Sequence, residues 1–372
     1  MKKATFITLG IIYILTSFSL LAKPSGKESN VQLAILLDTS NSMDGLIDQA
    51  KSQLWKIVNE LARSRKHGEP INLRVALYEY GNDGLPAEEG YLRQVTRLTN
   101  DLDKISEELF RLRTNGGSEF CGTAINSAVR YLNWSEDRGD LKMIVIAGNE
   151  PFTQGSIDYR NACERAAKNG VTVNTIFCGN YSEGVNTGWK DGAMITGGTY
   201  MNIDQNERIV HIDTPYDDEL IRLGKAINST YIAYGKKGEE LKERQEMQDN
   251  NSMSLSPAVM AQRSAAKASG QYKNTEWDLV DADSEEEIDL EKIDKKLLPD
   301  ELQNKSGEEL KRYVDEMKSK RTEIQTKINE LNEKRRKHIA EKSLEHQDNT
   351  FDSAMLKAIR DQAEKKGFEF KD

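Results

Sequence analysis

From residue 31 to about residue 235, short apolar runs of strand length alternate with stretches of helical spacing. That alternation restricts the segment to an α/β architecture, a mostly parallel sheet covered by helices on both faces. Val31–Leu37 and Leu141–Ala147 are largely apolar runs, Val171–Phe177 is a third segment of strand length, and Ile71–Tyr80 alternates apolar with polar residues. All four read as strands, with a shorter one at Thr199–Ile203. Tyr91–Leu98 reads as an edge strand running antiparallel. Between them, Leu46, Ile47, Ala50, Leu54, Ile57, Val58 and Leu61 keep helical spacing, as do Leu102, Ile105, Leu109 and Leu112 behind a cap at Asn100 or Asp101. Further helices are predicted over Ala124–Leu132, over 157–168 with a stop at Asn169-Gly170, through Trp189, Ala193 and Met194, and over Asp217–Asn228.

The first strand runs into Asp38-Thr39-Ser40-Asn41-Ser42. An Asp and two hydroxyls therefore sit at i, i+2 and i+4 in the turn at a strand's carboxyl end, where open α/β sheets place their ligands. These are hard oxygen donors of the kind that hold Mg²⁺, Mn²⁺ or Ca²⁺. The alternative is local: Ser42 caps the following helix and Asp44 complements its first turn. In this position the DxSxS pattern resembles the metal-ion-dependent adhesion site of von Willebrand factor type A (VWA) domains, which have a doubly wound, mostly parallel, Rossmann-like sheet.

The resemblance implies two further loops. In the second, Gly122-Thr123-Ala124 places Thr123 where the family has its Thr, although Thr123 would also serve as a helix cap. The third loop departs from the family's usual Thr-Asp-Gly-Glu-Pro. It reads Ala147-Gly148-Asn149-Glu150-Pro151, with Gly148 at the Asp position. Asn149 or Glu150 would then complete the set, and the missing carboxylate should weaken the site. The implied cofactor is a divalent cation, Mg²⁺ first, with Mn²⁺ or Ca²⁺ as options. The implied partner is a protein offering a carboxylate, and the implied role is cation-dependent binding or adhesion without catalysis.

Residues 1–22 read as an export signal, with Lys2-Lys3 before an apolar stretch and Ala22 before the cut. The competing reading is an uncleaved anchor of about 18 residues. No later segment is apolar enough to span a membrane, so the mature chain is expected in the periplasm, at the cell surface or secreted. Export permits a disulfide between two of Cys121, Cys163 and Cys178. Cys121 adjoins Thr123 and Cys178 ends the next strand at the same edge, so a Cys121–Cys178 bridge is expected, with Cys163 left in mid-helix. The formal net charge of −9, more negative without Lys2 and Lys3, argues against a nucleic-acid partner.

Beyond 235 the composition changes. Residues 236–300 read as a charged linker, in which Tyr272, Trp277, Leu279 and Val280 could dock on the domain. From 301 to 345, Leu310, Val314, Met317, Ile324, Ile328 and Leu331 follow alternating four- and three-residue steps, with Arg321 in the remaining slot. That is a coiled-coil seam, able to pair between chains or fold back. Residues 346–372 form a helical tail. No GxxxxGK[ST], GxSxG or HExxH pattern occurs, and the four histidines are scattered. The chain is thus expected not to be an enzyme. Its other role would be a structural scaffold assembling through the coiled coil over a weak or vestigial metal loop. A metal-assisted hydrolase is the distant third.

Overall fold

The computed structural model describes residues 29–204, 211–343 and 351–370. The expected export signal lies outside them. The domain opens with β1 (Ser29–Asp38), α1 (Asp44–Ala62), β2 (Ser64–Lys66), β3 (Glu69–Tyr80), β4 (Leu92–Thr99), α2 (Leu102–Arg111) and α3 (Cys121–Tyr131). It continues through β5 (Leu141–Gly148), α4 (Tyr159–Lys168), β6 (Thr172–Cys178), α5 (Tyr181–Asn186), α6 (Trp189–Ile195), β7 (Tyr200–Ile203) and α7 (Asp217–Ala226). The rest comprises α8 (Gly238–Leu255), α9 (Pro257–Lys267), α10 (Leu279–Ser284), α11 (Asp300–Gln303), α12 (Gly307–Ser343), α13 (Phe351–Lys365) and β8 (Phe368–Phe370).

The sheet is parallel through β7-β6-β5-β1-β3, as the apolar runs require. Beyond β3 the edge divides. Antiparallel β4 follows its carboxyl-terminal half, while β2 and then β8 extend its amino-terminal half. Strands buried on both faces sort their side chains alternately. Val31, Leu33, Ile35 and Leu37 join one apolar cluster with α1, whereas Ala34 and Leu36 join another with α3 and α4. The helix stop at Asn169-Gly170 is present, and Asp101 caps α2 by accepting from Lys104 N at 2.9 Å.

The region after 235 is no linker. α8 and α9 lie on the α1 face, where Trp55 Nε1 donates to Ser252 Oγ at 3.1 Å. Arg263 and Lys267 are fully buried there and pair with Asp103 and Asp249. Their charge made the segment look solvated, but charges that neutralise one another can be buried. Tyr272, Trp277, Leu279 and Val280 are buried as well.

The seam on α12 is also spent within the chain rather than between chains, the second of the two courses its spacing left open. Leu310, Val314 and Met317 enter a third cluster with Leu279, Val280 and Leu290, while Ile324 and Ile328 join the α1-side core. Arg321, the polar residue in the seam, donates to Asp278 at 2.6 Å, to Asp281 at 2.7 Å and to Thr230 O at 2.6 Å. It is one buried anchor of the helix, and Arg335, paired with Asp217 at 2.6 Å, is another. α13 then packs Met355, Ala358, Ile359 and Ala363 into the same core as α1.

Candidate metal centre

Three loops meet at the carboxyl edge of the parallel strands: 38–43 after β1, 112–120 before α3 and 148–158 after β5. The first two are stitched together by backbone bonds, Asn115 N to Thr39 O at 2.9 Å and Asn41 N to Gly116 O at 3.0 Å. Below them Thr39 Oγ1 bonds Glu79, whose carboxylate also pairs with Arg93.

Asp38 lies at the bottom, fully buried, with Oδ1 accepting from Ser40 N at 2.8 Å. Ser40 is nearly buried, Ser42 is exposed, and their hydroxyl oxygens are 3.5 Å apart. Ser42 does not cap α1, which is preceded by Met43 and has no side-chain cap. Its hydroxyl instead accepts from Asn149 Nδ2 at 3.0 Å, joining the third loop to the first. The structure therefore brings Asp38, Ser40, Ser42 and Asn149 together.

The remaining candidates, Thr123 and Glu150, have other surroundings. Thr123 sits within the first turn of α3, whose preceding residue is Phe120, and it is not a cap. Its methyl group faces the 81–91 loop, 2.9 Å from where a Cβ on Gly90 would stand. Glu150 accepts from Gln154 Nε2 at 2.9 Å, and its carbonyl oxygen accepts from Trp189 Nε1 at 2.8 Å. Its carboxylate is thus held by its own loop, near enough to Glu119 for its charge to help raise that carboxyl.

Sequence reasoning missed Glu119. Only 3 % exposed, it stands against Asp38: a Cβ placed on Gly81 would lie 2.7 Å from both Asp38 Oδ1 and Glu119 Cγ. Gly81 also has φ +79°, so both space and backbone demand glycine there. Burial, then contact with Asp38, pushes the Glu119 carboxyl up to about 10, and burial raises Asp38 above its ordinary range. The signal available in the sequence was a lone carboxylate inside a loop of small residues, just before the apolar Phe120 and Cys121.

Gly148 does lack a ligand, and its space is already taken. A Cβ there would collide with the Tyr80 hydroxyl and lie 3.0 Å from Asp38 Oδ2. That hydroxyl donates to Ala147 O at 2.9 Å. A third-loop aspartate has no room in this chain.

The expected Cys121–Cys178 disulfide is absent, and all three cysteines are free and buried. Cys121 belongs to the α3-side cluster, where its thiol donates to Tyr80 Oη at 3.7 Å, and Cys178 belongs to the α1-side cluster. The sheet lies between them. Cys178 ends β6 with its side chain on the α1 face, whereas Cys121 opens α3 on the other face.

Whether the group suits a cation is decided by its unsatisfied atoms. Asp38 Oδ2, Glu119 Oε2 and Asn149 Oδ1 are buried without a hydrogen-bond donor. Oxygens of this kind need a proton or a cation. Among the described residues no trio of His, Cys, Asp or Glu gathers anywhere, so this set is two carboxylates completed by hydroxyl and amide oxygen. An all-oxygen set fits a hard divalent ion.

A model of the von Willebrand factor type A domain matches residues 32–187. Among curated proteins none matches the chain by sequence. Solved structures similar in part include BatB from Bacteroides thetaiotaomicron, 18% identical, covering 47% of this chain and 90% of that one at a TM-score of 0.36. The SpRpn10 VWA domain is 18% identical over 48% of this chain and 90% of its own, with a TM-score of 0.37. Proximal thread matrix protein 1 from the mussel byssus, solved with a zinc-occupied MIDAS motif, is 13% identical over 48% and 43%, also at 0.37.

Proposed function

Residues 32–187 being a von Willebrand factor type A domain, we propose that this chain binds a partner protein through a divalent cation held at Asp38. Asp38, Ser40 and Ser42 would hold the ion with Asn149 beside them, and the acidic group of the partner would approach over the exposed Ser42. The observation that carries this reading is the set of buried oxygens without donors beneath an open rim. Bound there, the cation supplies a positive charge that attracts a carboxylate. Ser40 and Ser42 keep neutral donors toward the opening, so the chain's own negative charge stays at the bottom of the site.

Binding rather than catalysis is the proposed role, since the sequence has no nucleophile motif of a hydrolase. The export-like sequence of residues 1–22 supports a location outside the cytoplasm. A scaffold assembling through α12 has less support, because the seam it would use is buried within the chain.

Calorimetry of the full chain with Mg²⁺, Mn²⁺ and Ca²⁺ tests the proposal. Parent protein is expected to bind at least one of them, and Asp38→Ala to lose binding while its circular dichroism is unchanged. Equal affinity in both would sink the assignment.

A further inference from the structure

We infer that Glu119 supplies the second carboxylate of the metal centre, reaching it from the loop that precedes α3. The inference rests on the proposed cation at Asp38 and names a ligand that the DxSxS pattern does not contain.

Two carboxylates buried against one another are unfavourable unless something positive lies between them. Glu119 is 3 % exposed and Asp38 fully buried. Both crowd the same point beneath Gly81, where a single added carbon would lie 2.7 Å from each side chain. Among the described residues neither forms an ion pair, and each keeps one oxygen, Glu119 Oε2 and Asp38 Oδ2, without a donor. Among the described residues no basic group balances the pair. A shared proton suffices when the site is empty, and a divalent cation neutralises both charges when it is filled.

The backbone holds Glu119 for that task. The loop carrying it is bonded to the first loop through Asn41 and Gly116, and Glu119 N donates to Gln154 Oε1 at 3.3 Å. Gln154 thus grips the second loop with one end and Glu150 with the other. One residue ties down both the Glu119 backbone and the Glu150 carboxylate. On the third loop, Gly148 has no side chain to offer, and Tyr80 occupies the room one would need.

The chemistry that follows is selective for charge and hardness. Two carboxylates with hydroxyl and amide oxygens favour Mg²⁺, Mn²⁺ or Ca²⁺ over monovalent ions, and disfavour soft ions. Glu119 is then a ligand that sets affinity from beneath the ion, leaving the solvent side free for the partner.

The test is Mn²⁺ and Mg²⁺ calorimetry, together with the Mn²⁺ electron paramagnetic resonance signal, on the full chain. Parent, Glu119→Gln, Glu119→Asp and Glu150→Gln are compared, with circular dichroism as the check of folding. Glu119→Gln is expected to weaken binding at least about tenfold, since ligand charge sets the affinity of such sites. Glu150→Gln should stay within about twofold of the parent, because its carboxylate is taken up by Gln154. If Glu119→Gln fails to fold, Glu119→Asp decides: the charge survives on a shorter arm, and weakened binding supports direct ligation. Parent-like affinity in a folded Glu119 variant overturns this inference and leaves the Asp38-centred cation standing. No divalent binding by the parent overturns both.

Discussion

Gly148 shows what one atom decides in this site. Gly148→Asp looks like a repair of the family pattern, but its side chain would meet Tyr80 Oη and Asp38. Overpacking of that kind costs about 1–3 kcal/mol. The variant is expected to melt several degrees lower and to bind Mg²⁺ no more tightly, which thermal denaturation and calorimetry would read. The cysteines give a second prediction. Burial pushes the Cys163 thiol up to about 12 and those of Cys121 and Cys178 well above the ordinary range. A thiol reagent should find none of these three in the native protein and all three after unfolding, whereas one reactive thiol per chain in unfolded, unreduced protein would mean a disulfide. At this scale the sequence was half legible. Asp38, Ser40 and Ser42 announce themselves because a loop directly after a strand fixes where its residues fall. Glu119 does not, since its place depends on how two loops distant in sequence are stitched together.

Among the elements, α12 was read correctly in its spacing, while its partner stayed open between another chain and its own. A stripe at four- and three-residue steps fits another helix or the flank of a domain equally well, and periodicity alone does not choose between them. Arg321 was the clue. A cation in a seam requires an acid opposite, and Asp278 and Asp281 are on the neighbouring segment of the same chain. Arg321→Ala would leave those carboxylates buried without their counter-charge, at a cost of about 3–5 kcal/mol. Urea denaturation should show the loss, while Arg336→Ala, at a more exposed ion pair, should change little. The same cluster makes a pH prediction. Burial, then Asp278, raises Asp281 to about 6. Its ionised form is thus penalised in the folded state above pH 6, and the penalty is relieved as pH falls from about 6 toward 3.8, its reference value. Asp249 behaves oppositely. Burial alone would raise it, but Lys267 and Arg263 hold it down to about 2. Its contribution is present above pH 3.8 and is lost as pH falls through 2. Asp281→Asn should remove the stabilisation gained between pH 6 and 4 without touching the loss at lower pH. An unchanged profile in that variant would refute the assignment.

For the molecule as a whole, the α/β core was visible in the alternation of runs, and its boundary was not. Composition averages over a segment. A helix such as α9, made of Ala, Ser and paired charges, has low hydropathy whether it is buried or bathed in water. Arg263 and Lys267 are among the most deeply buried side chains of the protein. A fragment ending at residue 235 would uncover the faces of α1 and α2 that these helices occupy, and is expected to aggregate or melt far below the full chain. Removal of residues 351–372 should also be severe. Met355, Ala358, Ile359 and Phe368 are almost fully buried, and each large apolar side chain contributes about 1.5–3 kcal/mol when withdrawn from water. Differential scanning calorimetry of both truncations would measure this directly.

The antiparallel pairing of β8 with β2 has a consequence in time. Ser64 lies opposite Phe370, and nearby Arg360 meets Glu60 across 300 residues of chain. Contacts that close so long a loop form late, because the chain must give up its freedom before they are gained. The parallel core can collapse while this edge of the sheet is still an open template for pairing. Refolding should therefore show a slow last phase in which the edge is shut, and during that interval the molecule is at its most vulnerable to pairing with another copy of itself.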